Sequence, residues 1–512
     1  MTEPHVVGPK ATRREWIGLG VLALPCLIYS MDLTVLYLAI PSIAAELRPS
    51  AGQMLWIVDI YGFLLAGFLI TMGTLGDRIG RRKLLLIGAA CFGGASVLAA
   101  FSTSAEMLIA SRALLGITAA TLSPSTLSLI RNMFLDDRER MQAIGIWIAA
   151  FSAGGILGPV IGGVLLQWFW WGSVFLLAVP VMLLLLIVGP KLLPEFRDES
   201  AGRIDFASAL LSVAAVLAVI YGMKRLAEHG FTAAPFVIIA AGLAIGGLFV
   251  RRQRRLADPM IDLSLFRAPA FGTALGCNVL TIFIAFGFFL FIAQYFQLVL
   301  GMTPLEAGLW TAPSGVVFVV GSMLAPKLAQ RWPVARVVAG GMAVSTLGFG
   351  LLTQLGSLPF PLLMLGYTLF CAGLAPIGAL TTDLVMNSAP PERAGAASGI
   401  SETSFEFGGA LGIAVLGSVV MAMYRSGIVD AVPPGLPADA VAAARDTLGG
   451  AVDAARALGP NGDALLLAAR DVYVATLEKA AWICAGLSLF ATFLILALEK
   501  RLSDTLQPEP AA

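Results

Sequence analysis

Charge is scarce in this 512-residue chain: 13% of its residues are Asp, Glu, Lys or Arg, against about 25% in soluble domains. A water-soluble fold of this length would have too few polar residues to cover its surface. The 33 basic and 32 acidic side chains leave a net charge of +1, which removes any bulk electrostatic case for a nucleic-acid partner. Histidine occurs twice, as His5 and His229, both outside the long apolar runs. Any proton relay within a membrane must therefore be built on carboxylates. The five cysteines (Cys26, Cys91, Cys277, Cys371, Cys484) each fall inside an apolar run, too scattered for a metal motif or a disulfide framework. They read as small packing residues. No phosphate-binding lysine loop of the Walker type is present, so ATP is not the expected energy source. Ser, Cys and His never assemble into a nucleophile–base pattern. The chain is therefore not expected to be an enzyme, and no catalytic residue, cofactor or metal is expected.

What the chain has in plenty is apolar length. Hydrophobic residues make up 58% and mean hydropathy is +0.87, the profile of an all-α polytopic membrane protein. The first fifteen residues are polar and the first apolar run is full length without a cleavage-site pattern, so a retained first span is expected rather than a signal peptide. With roughly 20 residues per crossing, fourteen spans are expected, near 16–38, 53–72, 84–102, 105–128, 142–165, 171–192, 205–222, 233–250, 270–294, 304–325, 336–356, 361–385, 396–424 and 476–499. Lys and Arg test that count, because cytoplasmic loops retain them. If both termini are inside, 24 of the 33 basic residues fall in inner segments. Dropping one span inverts the bias. The expected organisation is an N-terminal six-helix bundle (1–200), an inserted helix pair (201–260) and a C-terminal six-helix bundle (261–512). The segment 425–475 is charged and Ala-rich, and reads as one or two short outer helices, either a connector or a gate at the outer mouth.

Charges inside spans carry the functional signal, since each costs roughly 2.5–3.5 kcal/mol on insertion scales unless paired or hydrated. Asp32 lies about 16 residues into the outward-running first span, roughly 24 Å along a 30 Å core. Asp59 and Arg112 lie some 6–7 residues into the inward-running second and fourth spans, roughly 10 Å below the outer face. The three are expected in one layer, with Arg112 holding at least one carboxylate anionic. Glu402 and Glu406 stand at i, i+4 on one face of the thirteenth span, where two close carboxylates titrate as a coupled pair suited to exchanging a proton for a cation. Asp383 and Glu306 fall near span ends and read as interfacial. The ninth span is rich in aromatics, among them Phe286, Phe289 and Tyr295. Facing lipid, they are ordinary; facing inward, with Tyr61 of the second span, they form a wall for flat lipophilic cations.

Two further stretches are distinctive. Gly73-Thr74-Leu75-Gly76-Asp77-Arg78-Ile79-Gly80-Arg81-Arg82-Lys83 joins the second and third spans, and its charges confine it to water. There Asp77 can cap an opposing helix while Arg81 and Arg82 pair with acids or lipid phosphate, a latch on one access state. Gly154, Gly158 and Gly162, spaced i, i+4, i+8, make one smooth face in the fifth span, and Pro159 adds a kink.

These stretches, with Met31-Asp32-Leu33-Thr34-Val35, Arg112-Ala113-Leu114-Leu115-Gly116 and the run Gly154 to Gly163, carry a specific likeness. The chain resembles the fourteen-helix drug:proton antiporters of the major facilitator superfamily, of the QacA/SmvA/LfrA multidrug exporter type. Trp56 to Tyr61 supports it; Gly321 to Arg331 is a degenerate echo of the Gly73–Lys83 pattern. The resemblance implies a gating motif at Gly73, Asp77, Arg78, Gly80, Arg81 and Arg82, and an antiporter helix motif at Gly154, Gly158, Pro159, Gly162 and Gly163. It also implies a bacterial plasma-membrane monomer that exports quaternary ammonium compounds, cationic dyes and antiseptics. In that scheme Asp32, Asp59, Arg112, Glu402 and Glu406 couple protons to substrate cations. The alternative cargo is an endogenous antibiotic or lipid-like metabolite. A membrane-embedded enzyme or sensor is the remote alternative.

Overall fold

The computed structural model describes residues 10–197, 205–229, 232–256, 259, 263–267, 269–387 and 394–497, and is helical with no strand among them. The helices are α1 (Arg13–Leu47), α2 (Ala51–Ile79), α3 (Arg81–Ala100), α4 (Ala105–Met133), α5 (Asp137–Trp168), α6 (Ser173–Leu176), α7 (Ala178–Leu192), α8 (Phe206–His229) and α9 (Ala233–Gln253). They continue with α10 (Pro269–Gln294), α11 (Pro304–Ala329), α12 (Val334–Leu352), α13 (Phe360–Asn387), α14 (Ala394–Ala431), α15 (Ala438–Asp446), α16 (Leu448–Leu458) and α17 (Asp463–Ala497). Among the described residues, twelve helices are long and apolar enough to cross a membrane, and thirteen if the bent α5 counts as one span. The seventh expected span falls on Ala207–Met223 of α8, whose apolar stretch is shorter than the others.

Several helix starts are written in the sequence. Thr12 with Glu15, Ser50 with Gln53, and Thr303 with Glu306 form reciprocal capping boxes at α1, α2 and α11. Glu306, expected at an interface, is thus an exposed capping residue bonded by the amide and hydroxyl of Thr303. The side chain of Asp383 lies outside the described residues.

The short helices expected in 425–475 are α15 and α16, and the rest of that segment, from Asp463, is the start of α17, which runs unbroken for 35 residues, about 52 Å, well past a 30 Å hydrocarbon core. Its first turns, with α15 and α16, pack over the ends of neighbouring helices. Asp446 accepts the Ala51 amide at the start of α2 (3.1 Å) and pairs with Arg425 (2.5 Å).

Small residues set how closely the spans approach, as they must where lipid supplies no hydrophobic drive between helices. A Cβ on Gly154 would lie 2.4 Å from the Leu27 carbonyl oxygen, and one on Gly158 2.1 Å from Thr34 Oγ1, so this α5 face is pressed onto α1. Within this face α5 bends by about 40° between Gly155 and Leu157, where Pro159 removes the amide that would bond the Gly155 carbonyl. Pro159 and Gly163 then meet α11: a Cβ on Gly308 would lie 2.2 Å from the Pro159 carbonyl oxygen, and one on Gly163 2.8 Å from Leu305 Cα. A second seam joins α2 to α14 through Gly62 beside Ala410 and Gly417 beside Leu55. The α8–α9 pair packs against this seam from outside. Ile220 of α8 shares an apolar cluster with Phe63, Ala410 and Ala414, and Val213 fills the space at Gly67.

Candidate functional site

The centre of the site is Arg112 of α4, whose side chain is fully buried. Gly116, one turn along, lets the helices touch: a Cβ there would lie 2.4 Å from the Tyr61 carbonyl oxygen of α2. That approach brings the Ile57 carbonyl within 3.2 Å of Arg112 Nε and the Tyr61 ring to 4.4 Å from the guanidinium carbon. Arg112 Nη1 donates to Asp32 Oδ2 of α1 at 2.5 Å. A guanidinium buried among apolar helices needs this much: a counter-charge, a backbone acceptor and a π face. Tyr61, expected to face a substrate, is instead stacked on this internal cation.

Asp59 of α2, also fully buried, and Arg112 line a cavity with Tyr37, Gly62, Phe286 and Glu406. Asp32, Asp59 and Arg112 therefore gather in one region, and Glu406 of α14 joins them from across the α2–α14 seam. The cavity is about 20 Å³, room for one water molecule and far below the roughly 300–1,000 Å³ of a drug-sized pocket. The Tyr37 hydroxyl and Arg112 Nη2 are buried without hydrogen-bond partners among the described residues, so the cavity retains polar capacity.

The two glutamates of α14 find their partners on the opposite side of that seam. Glu406 accepts the phenol of Tyr29 from α1, and Glu402 accepts the hydroxyl of Ser123 from α4 at 2.6 Å. Neither is in an ion pair among the described residues, in contrast to Asp32. Tyr29 and Ser123 were not expected from sequence. Their signals were present: Tyr29 precedes Asp32 by one turn on the same face, and Ser123 sits in the hydroxyl-rich run Thr121 to Thr126 around Pro124.

Of the expected aromatic wall, Phe286 reaches the cavity and Phe289 and Tyr295 do not. Phe289 packs against Tyr367 and Phe370 among α10 and α13, and Tyr295 donates to the Leu355 carbonyl at 3.3 Å near the end of α12. An aromatic row does stand near the glutamates, on α1 and α5: Tyr29 meets Phe151 edge-on at 5.4 Å, and Phe151 meets Trp147 at 4.7 Å.

The Gly73–Lys83 stretch is clasped within its own half of the chain. Arg82 pairs with Glu195, its Nη1 donates to the Pro190 and Leu193 carbonyls, and its amide bonds the same carboxylate at 3.0 Å. Gly80 is required there, since it adopts φ of +110° and a Cβ would lie 2.5 Å from Glu195 Oε1. Gly73 lies within α2, Arg78 is exposed, and Arg81 is buried. The side chain of Asp77 lies outside the described residues. Arg82, expected to pair with an acid or lipid phosphate, thus meets an acid in the segment after α7.

The family model described as Major Facilitator Superfamily matches residues 22–413. The chain belongs to the Major Facilitator Superfamily. It is a multi-pass membrane transporter. Among relatives, it is similar to the multidrug efflux pump LfrA of Mycolicibacterium smegmatis, 42% identical over 492 residues, covering 95% of this chain and 97% of the relative. It is similar also to the methyl viologen resistance protein SmvA of Salmonella typhimurium, 35% identical, covering 90% of this chain and 93% of the relative. The tetracenomycin C resistance and export protein of Streptomyces glaucescens is 33% identical over 80% of this chain and 76% of its own length. Among solved structures, a bacterial homologue of the human lysosomal transporter Spinster, inward-facing, aligns over 98% of this chain and 100% of its own at a TM-score of 0.67 and 17% identity. That last likeness is one of fold.

Proposed function

We propose that the protein is a proton-coupled exporter of lipophilic cations, with fourteen spans arranged as two six-helix bundles and an inserted pair, working by alternating access. The observation that carries the reading is the shared cavity. Asp59 of α2 and Glu406 of α14, from opposite sides of a seam, line it together with Arg112. A rocking motion that opens the seam would expose these acids to one side of the membrane at a time. Deprotonated, they would bind a cation from inside; protonated from outside, they would release it. The inner excess of Lys and Arg supports cytoplasmic termini in a bacterial plasma membrane.

The names of the relatives support this cargo. Methyl viologen, named in one of them, is a flat dication of the kind a carboxylate site with aromatic neighbours would accept. A second reading, an exporter of an antibiotic made by the host, is favoured by the likeness to the tetracenomycin C exporter. The reading is tested by dye export from inverted vesicles with and without a pH gradient, for Asp32→Asn, Asp59→Asn, Glu402→Gln and Glu406→Gln, each with a monovalent and a divalent dye. Gradient-driven export that fails in at least one variant is expected. Unchanged export and pH coupling in all four would overturn it, and cargo export without any dye export would favour the second reading.

A further inference from the structure

Glu402 and Glu406 raise a question that the proposed exchange leaves open. An anionic carboxylate taken from water needs compensation, and none is supplied to this pair by a basic side chain among the described residues. What holds them in the closed arrangement is a hydroxyl each, Tyr29 to Glu406 and Ser123 to Glu402, both from the opposite half. The other charged or titratable groups facing Glu406 are Asp59, Arg112 and Tyr37 across the small cavity and Glu402 one turn away on the same helix face. Arg112 is already engaged with Asp32 and the Ile57 carbonyl.

We propose that the Tyr29 hydroxyl is a stand-in for the substrate at Glu406, occupying the carboxylate while the halves are together and yielding it to the cation when they part. This rests on the reading of Glu402 and Glu406 as the cation site. Three features support the role. The bond spans the seam, so opening must break it. The cavity beside it is too small for a drug, so a guest must enter the space that the closed contact fills. The Tyr29 ring continues into Phe151 and Trp147, with the Trp147 indole fixed by a 3.0 Å bond to Thr126 Oγ1, so a cation displacing the phenol would find π faces beside the carboxylate. The hydroxyl keeps its proton throughout. Its work is to compete with the departing cation, so that the carboxyl has a hydrogen-bond partner as the guest leaves and the halves close. Tyr29 is thus a positioning and release residue.

The test is Tyr29→Phe, which deletes the competitor and keeps the ring, assayed in inverted vesicles with ethidium at a fixed pH gradient. Loss of one hydroxyl competing at a carboxylate is expected to tighten ethidium about tenfold, or 1.4 kcal/mol, and slow its release to match. KM and kcat should therefore fall together. A variant with kcat reduced and KM unchanged or raised, or with both at wild-type values, overturns the stand-in role. Glu406→Gln in the same assay separates the two ideas. Wild-type ethidium export by Glu406→Gln would remove the cation site itself. Lost export there, with unchanged constants in Tyr29→Phe, would remove this inference alone. Ser123→Ala is the second variant should Tyr29→Phe fail to reach the membrane. A joint fall of KM and kcat, about threefold for the weaker alcohol, is expected, and unchanged constants would overturn the idea.

Discussion

Replacing Arg112 with Gln should be among the most damaging single changes in the transmembrane region. The guanidinium is fully buried, bonds Asp32 at 2.5 Å and the Ile57 carbonyl at 3.2 Å, and lies 4.4 Å from the Tyr61 ring centre. Glutamine fills part of the volume but leaves the Asp32 carboxylate, 11% exposed, without its counter-charge. Breaking a buried ion pair by removing one partner costs about 3–5 kcal/mol, most of it from the charge left behind. The same argument fixes the behaviour of the double variant. Adding Asp32→Asn removes the stranded charge and should recover at least half of the loss, while export stays lost. The assay is the melting midpoint of detergent-purified protein, read by size exclusion after heating, beside dye export. An Arg112→Gln midpoint equal to that of the wild type would refute the reasoning, as would a double variant no more stable than the single one.

The remaining predictions concern the packing of α5 and the anchoring of the α8–α9 pair. Gly158→Ala puts a methyl where Thr34 Oγ1 lies 2.1 Å away and Thr34 Cβ 3.3 Å away, so Thr34 must turn and give up its bond to the Met31 carbonyl, or α1 and α5 must separate. It should cost about 1–3 kcal/mol and reduce export, both read by melting and vesicle assays. At the start of α8, burial alone would raise the Asp205 carboxyl, but bonds from Arg252 and Ser208 outweigh it and hold the group at about 2. Because its folded value lies below its unfolded one, its contribution is complete above about pH 4 and is lost as pH falls towards 2. Hydrogen exchange in the first turn of α8 should be flat from pH 7 to 5, after correction for intrinsic rates, and rise below 4. Asp205→Asn should remove that acid-dependent rise.

The sequence disclosed most of what depends on helix period and rise, and little of what depends on which helices meet. Asp32, Asp59 and Arg112 were predictable as a group because 1.5 Å per residue places them at one depth whatever the packing. Glu402 and Glu406 were legible as a pair because i, i+4 fixes a shared face. Their hydroxyl partners were not, since Tyr29 and Ser123 lie 377 and 279 residues away and meet them across the α14 seam. Phe289 and Tyr295 were misassigned to the chamber for a related reason. α10 is apolar all round, so periodicity gives no hint of which aromatic faces inward. The start of α17 was hidden because Asp463, Arg470 and Asp471 end the hydropathy signal, whereas alanine and leucine carry the helix past them. The acid that Arg82 meets was not identifiable in advance because Glu195 is contributed by an irregular segment with no motif of its own.

The central claim is that a guest cation and a hydrogen ion compete for the same buried acids. It is tested most directly by adding ethidium to purified protein in lightly buffered detergent near neutral pH and recording proton release. The account predicts release of up to about one proton per bound dye, growing as the pH is lowered towards the range where the acids are protonated, and abolished in the Glu402→Gln/Glu406→Gln double variant. Saturable ethidium binding with no proton released at any pH would contradict it.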